Sequence, residues 1–270
     1  MPTKMTINTF TALKAERKIV CLTAYSAPMA AILDAHCDLL LVGDSVAMVL
    51  YGMDNTQGAD IQMMVRHAQA VMRGTKQALV VVDLPAGSYE TSPEQALTTA
   101  TQIIQESGAD AIKLEGGALL KPHIKLLVKN GIPVMGHIGL LPQKASSASM
   151  YRITGKTDDE AALLHADMHA LVDAGVFGIV MEGIIEPVAK DIATACSVPT
   201  IGIGASTVCD GQILVTDDMV GLFDKFVPTF VRQFGKLNPA ITESVSAYRA
   251  AVIDGSFPSN EHLFWPKVEK

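Results

Sequence analysis

Short apolar strands that each end in a titratable residue recur along this chain and limit most strongly the folds it can adopt. The pattern is clearest in Ala109–Gly117, where Lys113 and Glu115 interrupt an apolar strand two residues apart. Residues i and i+2 of a strand point to the same face, so these two charges share one side. If both charges are buried, they need a counter-charge, a metal or a ligand. The alternative interpretation is that they form a simple buried ion pair or lie at a solvated strand end. The strand-end residues of the series are Asp44, Asp83, Glu115, His137 and Glu182.

The order of apolar runs and helix signals predicts the fold class. Near-continuous apolar strands separated by helices are typical of a parallel sheet that is covered on both faces. Seven strands, with Phe226–Val227 as the candidate for an eighth, predict an α/β protein with a (β/α)8 TIM barrel. A doubly wound open sheet is the alternative interpretation. The predicted strands are Lys18–Ala24, Leu39–Val42, Leu79–Val82, residues 111–114, Pro133–Gly136, Gly178–Met181 and Pro199–Ile203.

Length and helix signals predict one domain over residues 1–270 that ends in a C-terminal helix at Ile241–Ile253. Hydrophobic residues make up 49% of the 270 residues and charged residues 18%, so the chain can bury a large core. Ser92-Pro93-Glu94-Gln95 has the cap, the proline and the capping-box residue of a helix start. Ser45–Asp60 and Gly139–Lys156 are too long for plain connections and are interpreted as functional loops.

Charge, hydropathy and cysteine usage exclude several classes of protein. A formal net charge of −7 argues against a nucleic-acid partner, which would require clustered Lys and Arg. No apolar run reaches membrane-spanning length, and the N-terminal residues lack the apolar core of a signal peptide. Cys21, Cys37, Cys196 and Cys209 show no CxxC spacing, which predicts reduced, mostly buried thiols. We therefore expect a soluble, cytoplasmic protein with no membrane or nucleic-acid partner.

Three of the strand-end residues are carboxylates that would converge on neighbouring barrel strands. Asp44, Asp83 and Glu115 end the second, third and fourth predicted strands. Converging carboxylates repel one another unless one is protonated or a cation joins them. A set of oxygen ligands suits Mg²⁺ or a similar hard cation and suits zinc poorly. The alternative is that the three carboxylates cap separate loops or helices.

The remaining strand-end residues suit substrate binding and proton transfer. Lys113 is suited to a substrate carboxylate, although it could serve only as the partner of Glu115. His137 could donate a hydrogen bond to a substrate oxygen or shuttle a proton, and a structural role is the alternative. Glu182 follows an apolar run, and such surroundings raise the pKa of a carboxylate and suit it to act as a general base. The simpler interpretation of Glu182 is an ion pair on a loop.

Taken together, the motifs are similar to those of one enzyme family. The stretches that carry the likeness are Val42-Gly43-Asp44-Ser45, Asp83-Leu84-Pro85 with Tyr89, Lys113-Leu114-Glu115-Gly116-Gly117, Gly131–Leu140 with Pro142-Gln143, Ile201–Ala205 and Asp210–Val215. They resemble the ketopantoate hydroxymethyltransferase family, in the same order and over roughly residues 5–265. That family is related to phosphoenolpyruvate mutase and isocitrate lyase.

The resemblance implies a (β/α)8 barrel enzyme of pantothenate and coenzyme A biosynthesis. Such enzymes transfer a hydroxymethyl unit from 5,10-methylenetetrahydrofolate to 3-methyl-2-oxobutanoate, giving 2-dehydropantoate through a Mg²⁺-stabilised enolate. Family members form homo-oligomers, often decamers. The implied site residues are Asp44, Asp83 and Glu115 for the metal, Ser45, Asp83, Lys113 and His137 for the substrate, and Glu182 as the proton acceptor.

The chain departs from the usual family motifs beside these residues. Ala47, Ala86 and Ser206 replace the usual Gly, Phe and Gly of their motifs, so we expect them to alter substrate selectivity rather than the chemistry. One alternative is a paralogue that performs Mg²⁺-enolate aldol chemistry or C–C bond cleavage on another 2-oxo acid. The Lys-Lys-Cys-Gly-His motif common in the related lyases is missing here. A non-catalytic binding protein is the second alternative.

Overall fold

The computed structural model describes residues 3–147, 150–223 and 227–266. Within these residues eight parallel strands close into a barrel, each paired with its neighbours in sequence order and the last paired with the first. The predicted (β/α)8 barrel is therefore confirmed, and the open sheet is wrong. The strands are β1 Ile19–Thr23, β2 Leu39–Val42, β3 Leu79–Asp83, β4 Ala111–Lys113, β5 Val134–Gly139, β6 Gly178–Glu182, β7 Thr200–Ile203 and β8 Gly211–Leu214.

Helices connect the strands, and their ends follow local sequence signals. In α5, the Ser92 side chain accepts a hydrogen bond from the main-chain N–H of Gln95, and Gly108 ends the helix in the left-handed conformation. The helix predicted at its Ser-Pro start is thus confirmed. The helices are α1 Ile7–Ala12, α2 Ala27–Leu33, α3 Val46–Val49, α4 Ile61–Gly74, α5 Pro93–Ser107, α6 Lys121–Lys129, α7 Asp158–Ala174, α8 Glu186–Ala195, α9 Thr216–Met219 and α10 Leu237–Asp254.

The prediction for the eighth strand is wrong. Phe226 lies outside the described residues, and Val227 belongs to no strand, whereas Gly211–Leu214 forms β8. This strand has only four residues, begins with a glycine and exposes Gln212, so it lacks the continuous apolar run that marks the other strands. β5 also extends to Gly139, which places His137 inside the strand rather than after it.

Two separate apolar clusters lie on the two faces of the barrel wall. Alternate residues of the strands, such as Val80 and Val82 of β3, pack against the helices, whereas Leu79 and Val81 fill the interior. Phe10 of α1 belongs to the interior cluster and meets the ring of Phe177 edge to face, with 5.8 Å between the ring centroids. Since Phe177 directly precedes β6, this aromatic pair lies at the amino end of the strands and leaves the carboxyl end for polar residues.

The chain divides into two compact units, Met1–Thr216 and Asp217–Lys270. The first unit contains all eight strands of the barrel. The second contains α10, which is longer than the predicted Ile241–Ile253 and ends at Gly255. The assignment of the whole chain to one domain stays a prediction. No helix within the described residues is both long and apolar enough to cross a membrane.

Candidate functional site

The alternation of side chains along the strands brings the predicted site residues to one place. In β3, Val81 faces the barrel interior, and Asp83 follows two residues later on the same face. Lys113, His137 and Glu182 lie near or at the carboxyl ends of β4, β5 and β6, two residues after interior-facing side chains. The chemistry-bearing residues thus continue the interior rows of the barrel where apolar packing stops, which is where TIM-barrel enzymes place their active sites.

Asp83 and Lys113 form a buried ion pair at adjacent strand ends. Lys113 Nζ lies 3.0 Å from Asp83 Oδ1, and both side chains are only 4% exposed. The other Asp83 oxygen, Oδ2, accepts a 3.1 Å hydrogen bond from the main-chain N–H of Asp44. Burial works against the charged ammonium of Lys113, but the carboxylates of Asp83, Glu115 and Asp44 outweigh it and raise its pKa. Lys113 therefore stays charged.

Gln143, in the loop after β5, connects the other two predicted carboxylates. Its Nε2 donates to Asp44 Oδ2 at 2.7 Å, and its main-chain N–H donates to Glu115 Oε2 at 3.0 Å. Burial, and then the charge of Asp83, raise the pKa of Asp44 to about 7. Burial also raises the pKa of Glu115 well above its ordinary value. The three carboxylates thus lie close together, as predicted. Their burial in one place disfavours the ionised form of each.

The donor chemistry of this group fits a hard divalent cation, although its geometry is not that of a preformed cage. All three carboxylates are buried. Burial raises the pKa values of Asp44 and Asp83, and the charge of Asp83 raises that of Asp44 further, which a cation would counteract. Among the described residues no three His, Cys, Asp or Glu side chains are already arranged to hold a metal ion. Mg²⁺ is commonly bound through one or two carboxylates, with water or substrate oxygens completing its coordination.

His137 and Glu182 form a second pair on the neighbouring strands β5 and β6. His137 Nδ1 lies 3.2 Å from Lys113 Nζ, and Nε2 lies 3.5 Å from Glu182 Oε2. Burial and the charge of Lys113 hold the pKa of His137 well below its ordinary value, so its ring is neutral. An ammonium can only donate, so Nδ1 accepts and the proton of the ring is on Nε2, facing Glu182.

Glu182 is the carboxylate that stands apart from the predicted metal group. Burial is the main cause that raises its pKa, to about 8. The backbone around it is tightly packed, because a Cβ at Gly139 would lie 2.2 Å from the Glu182 carbonyl oxygen. Gly139 also has a φ of +100°, which a residue with a side chain rarely adopts. Glycine here lets β5 run close beside the Glu182 backbone.

Ser45 lies directly after Asp44, at the same end of the barrel. Its Oγ is 2.8 Å from the hydroxyl of Tyr25, which follows β1 and is buried.

The four cysteines, Cys21, Cys37, Cys196 and Cys209, are free and buried, as predicted.

Sequence reasoning assigned no role to Gln143, Tyr89 or Tyr25, although the first two lie within the family motifs. The Tyr89 hydroxyl lies 2.6 Å from Gln143 Oε1 and accepts a hydrogen bond from the main-chain N–H of Glu115. Neutral polar residues in loops have no periodicity, and their partners are remote in sequence. Their place in a motif was the only available signal.

Comparisons with known proteins agree with the predicted family. The profile of the family described as ketopantoate hydroxymethyltransferase matches residues 4–260. Proteins named 3-methyl-2-oxobutanoate hydroxymethyltransferase are 48% identical in Brucella canis, over 98% of this chain and 96% of theirs, and 49% identical in Rhizobium etli, over 97% and 96%. A solved 2,3-dimethylmalate lyase, a PEP mutase/isocitrate lyase superfamily member, shares the fold with a TM-score of 0.58 and 15% identity, over 96% of this chain and 91% of the lyase. The chain is an enzyme that belongs to the ketopantoate hydroxymethyltransferase family.

Proposed function

We propose that this enzyme transfers a hydroxymethyl unit from 5,10-methylenetetrahydrofolate to 3-methyl-2-oxobutanoate and so forms 2-dehydropantoate. The names of the related proteins identify the acceptor and the group transferred. The reaction requires a base that removes the C3 proton of the 2-oxo acid, a means of holding its carboxylate and keto oxygens, and room for the one-carbon donor.

The observation that carries this proposal is the environment of Glu182. The carboxylate lies at the carboxyl end of β6, outside the group of Asp44, Asp83 and Glu115, and burial raises its pKa to about 8. A general base is most effective when its pKa is close to the working pH. A carboxylate at its ordinary pKa would be a far weaker base toward a carbon acid, so the largely buried position of Glu182, whose side chain is 17% exposed, suits this role.

The charges of the site support a divalent cation as a requirement for binding an anionic substrate. Four carboxyl groups, from Asp44, Asp83, Glu115 and Glu182, lie at this end of the barrel around the buried ammonium of Lys113. A 2-oxo acid would add a further negative charge. When bound, Mg²⁺ would polarise the keto group and stabilise the negative charge that develops on its oxygen. Asp44 and Asp83 would hold it, with Glu115 binding directly or through water.

The protein side chains have separable tasks in this scheme. Lys113 and Ser45 hold the carboxylate of the 2-oxo acid near the ends of β4 and β2. The buried Nε2–H of His137 lies 3.5 Å from Glu182 Oε2 but makes no hydrogen bond within the described residues, so it can donate to a substrate oxygen. Glu182 takes the proton from C3, which leaves the electron pair on the carbon that forms the new bond. Asp83 keeps Lys113 charged and in position.

A cleft beside Glu182 suits the one-carbon donor. It has a volume of about 260 Å³ and is lined in part by Gly139, Tyr151, Lys144 and Arg152. An aromatic ring and two cationic side chains match a flat heteroaromatic group that carries carboxylates, and folates contain both. The one-carbon unit of the donor is held by two C–N bonds. Water adds to that carbon and both C–N bonds break, which gives formaldehyde and tetrahydrofolate. C3 then attacks the formaldehyde carbon, and the alkoxide that forms takes up a proton to give the hydroxymethyl group.

Two measurements test the proposal in stages. The first follows the C3 proton of 3-methyl-2-oxobutanoate by NMR in D₂O with enzyme and Mg²⁺ but without folate. We expect the proton to exchange, because its removal precedes attack on the one-carbon unit. The second adds 5,10-methylenetetrahydrofolate and measures formation of 2-dehydropantoate.

The outcomes separate the parts of the proposal. No exchange and no product with this acid would reject it as the substrate. Exchange without product would retain the enolising step and reject the folate as the donor. Full activity after exhaustive chelation would reject the divalent cation.

A further inference from the structure

We propose that Gln143 is a positioning residue that orients the carboxylates of Asp44 and Glu115 toward a divalent cation, and that Tyr89 fixes Gln143 in the orientation this requires. The inference rests on the proposed function, since it concerns how the protein prepares the same cation site. It assigns a task to two neutral side chains from separate loops.

Gln143 uses all of its side-chain hydrogen-bonding groups. Nε2 donates to Asp44 Oδ2 at 2.7 Å and to the carbonyl oxygen of Leu84 at 2.9 Å, while Oε1 accepts from Tyr89 at 2.6 Å. A carbonyl oxygen can only accept, so the nitrogen of the amide must face Leu84 and Asp44. Reversal of the amide would place its oxygen against two acceptors, the Leu84 carbonyl oxygen and the Asp44 carboxylate.

Tyr89 holds the amide oxygen of Gln143 in place. Its hydroxyl accepts a 3.2 Å hydrogen bond from the main-chain N–H of Glu115. It has one proton to donate and lies 2.6 Å from Gln143 Oε1, nearer than the 3.1 Å to the Glu115 carbonyl oxygen. The ring is 1% exposed, so water cannot substitute for either partner. Tyr89 therefore couples the backbone at the end of β4 to the amide of Gln143.

Gln143 engages one oxygen of each carboxylate. The other oxygens, Asp44 Oδ1 and Glu115 Oε1, are left to face a ligand, with Glu115 Oε1 3.6 Å from His137 Nδ1. Gln143 holds Oδ2 of Asp44 through its side chain and Oε2 of Glu115 through its main-chain N–H. Partners of this kind, one step removed from a metal, set the direction in which the ligating atoms point. The same residue does this for carboxylates that follow two different strands, β2 and β4.

The loop that contains Gln143 is itself held by hydrogen bonds from the loop after β2. Gln57 Nε2 donates to the carbonyl oxygen of Gln143 at 2.8 Å, and Asn55 Nδ2 donates to the carbonyl oxygen of Ser146 at 2.7 Å. Gln57 and Asn55 belong to the long segment after β2, which sequence analysis interpreted as a functional loop. The two long loops are thus tied together around Gln143, and the position of its backbone is fixed as well as that of its side chain.

The test compares the affinity of folded variants for Mn²⁺ alone, titrated by calorimetry in the absence of substrate and folate. Gln143→Met keeps the length of the side chain and removes the three hydrogen bonds that the side-chain amide makes. Tyr89→Phe keeps Gln143 and removes the hydroxyl that orients it. We expect Gln143→Met to weaken Mn²⁺ binding by about 10- to 100-fold, and Tyr89→Phe to weaken it by less. Gln69→Met is the matched control, since its Nε2 donates to the Glu106 carbonyl oxygen on the outer helices.

A second readout separates positioning from general loss of structure. Thermal unfolding shows whether each variant is folded, and C3-proton exchange is measured as a function of Mn²⁺ concentration. We expect the Mn²⁺ concentration for half-maximal exchange to rise in Gln143→Met, while exchange at saturating Mn²⁺ recovers to near the wild-type rate. Wild-type Mn²⁺ affinity in folded Gln143→Met would overturn this inference and leave the proposed function intact. Failure of the wild-type enzyme to bind Mn²⁺ would overturn both.

Discussion

Replacing Glu182 by Gln separates the proposed base from the rest of the site. Gln keeps the shape of the side chain and its contact with His137 Nε2, 3.5 Å away, but cannot take a proton. The predicted metal group, Asp44, Asp83 and Glu115, is left unchanged. We therefore expect the variant to bind 3-methyl-2-oxobutanoate with Mg²⁺ and to exchange its C3 proton far more slowly.

The size and the pH dependence of the effect follow from the burial of Glu182. A positioned general base contributes about 10²- to 10⁴-fold, which is about 2.7–5.4 kcal/mol of barrier. With a pKa of about 8, roughly one Glu182 in a hundred is ionised at pH 6 and about half at pH 8. Because the ionised form is the base, wild-type exchange should rise with pH and level off above the pKa. A bound cation lowers that pKa, so the midpoint lies at or below pH 8.

The assay is the loss of the C3 proton signal in D₂O, followed by NMR between pH 6 and pH 9 without folate. Glu186→Gln is the matched control, because it makes the same change of charge at an exposed position at the start of α8. It should exchange at the wild-type rate. Exchange in Glu182→Gln at the wild-type rate, or wild-type exchange that does not change with pH, would refute the assignment of Glu182 as the base.

Three further predictions concern the cation, the buried ion pair and the substrate pocket. Mg²⁺ at 100 times its dissociation constant should stabilise the fold by about 2.7 kcal/mol and raise Tm by about 5–11 °C. Asp83→Asn should abolish that rise, and scanning calorimetry of both proteins with and without Mg²⁺ checks it. Lys113→Met leaves a buried carboxylate without its partner, so denaturant unfolding should show a loss of about 3–5 kcal/mol in the unfolding free energy. Steady-state kinetics should show a raised KM for the 2-oxo acid. Ala47→Gly, Ala86→Phe and Ser206→Gly restore the usual family residues. Measured on a panel of 2-oxo acids of different branching, they should shift relative kcat/KM by about 10- to 200-fold, with little change for the preferred acid. Equal kcat/KM profiles on the panel would make these departures neutral.

Most of the barrel could be predicted because its strands and helices carry strong local signals. β2 is a continuous apolar run, and α5 begins with a Ser cap followed by Pro. β8 carries no such signal, since its four residues include Gly211 and the exposed Gln212. Its place in the barrel is determined by pairing with β1 and β7, which is a tertiary effect that local patterns do not contain.

The titratable part of the site could also be predicted, because alternation along a strand carries its last residues to the interior face. Asp83 and Lys113 are brought together in this way, in register across β3 and β4. Gln143 is different: its partners Asp44 and Leu84 lie 99 and 59 residues away along the chain, and the residue lies in a loop. An uncharged side chain whose role depends on such remote partners leaves no pattern in composition or spacing.

The electrostatics of the site lead to one more prediction, that Mg²⁺ binding releases protons. The pKa of Asp44 is raised to about 7 by burial and by the charge of Asp83, so at pH 7 about half of the molecules carry a proton there. A cation at this carboxylate favours the ionised form and displaces that proton. Asp44 alone should therefore release about 0.9 proton at pH 6, about 0.5 at pH 7 and about 0.1 at pH 8. Protons from Asp83 and Glu115, whose pKa values are also raised, add to this amount.

Calorimetric titration with Mg²⁺ in buffers of different ionisation enthalpy measures this release directly. Asp44→Asn is not a suitable control, since it removes a proposed ligand, so the comparison is the same protein at the three pH values. Release that stays near zero at pH 6 and pH 7, with Mg²⁺ binding intact, would mean that Asp44 is already ionised in the folded protein. Burial and the charge of Asp83 would then not have raised the pKa of Asp44, and the electrostatic argument that rests on that raised pKa would fail.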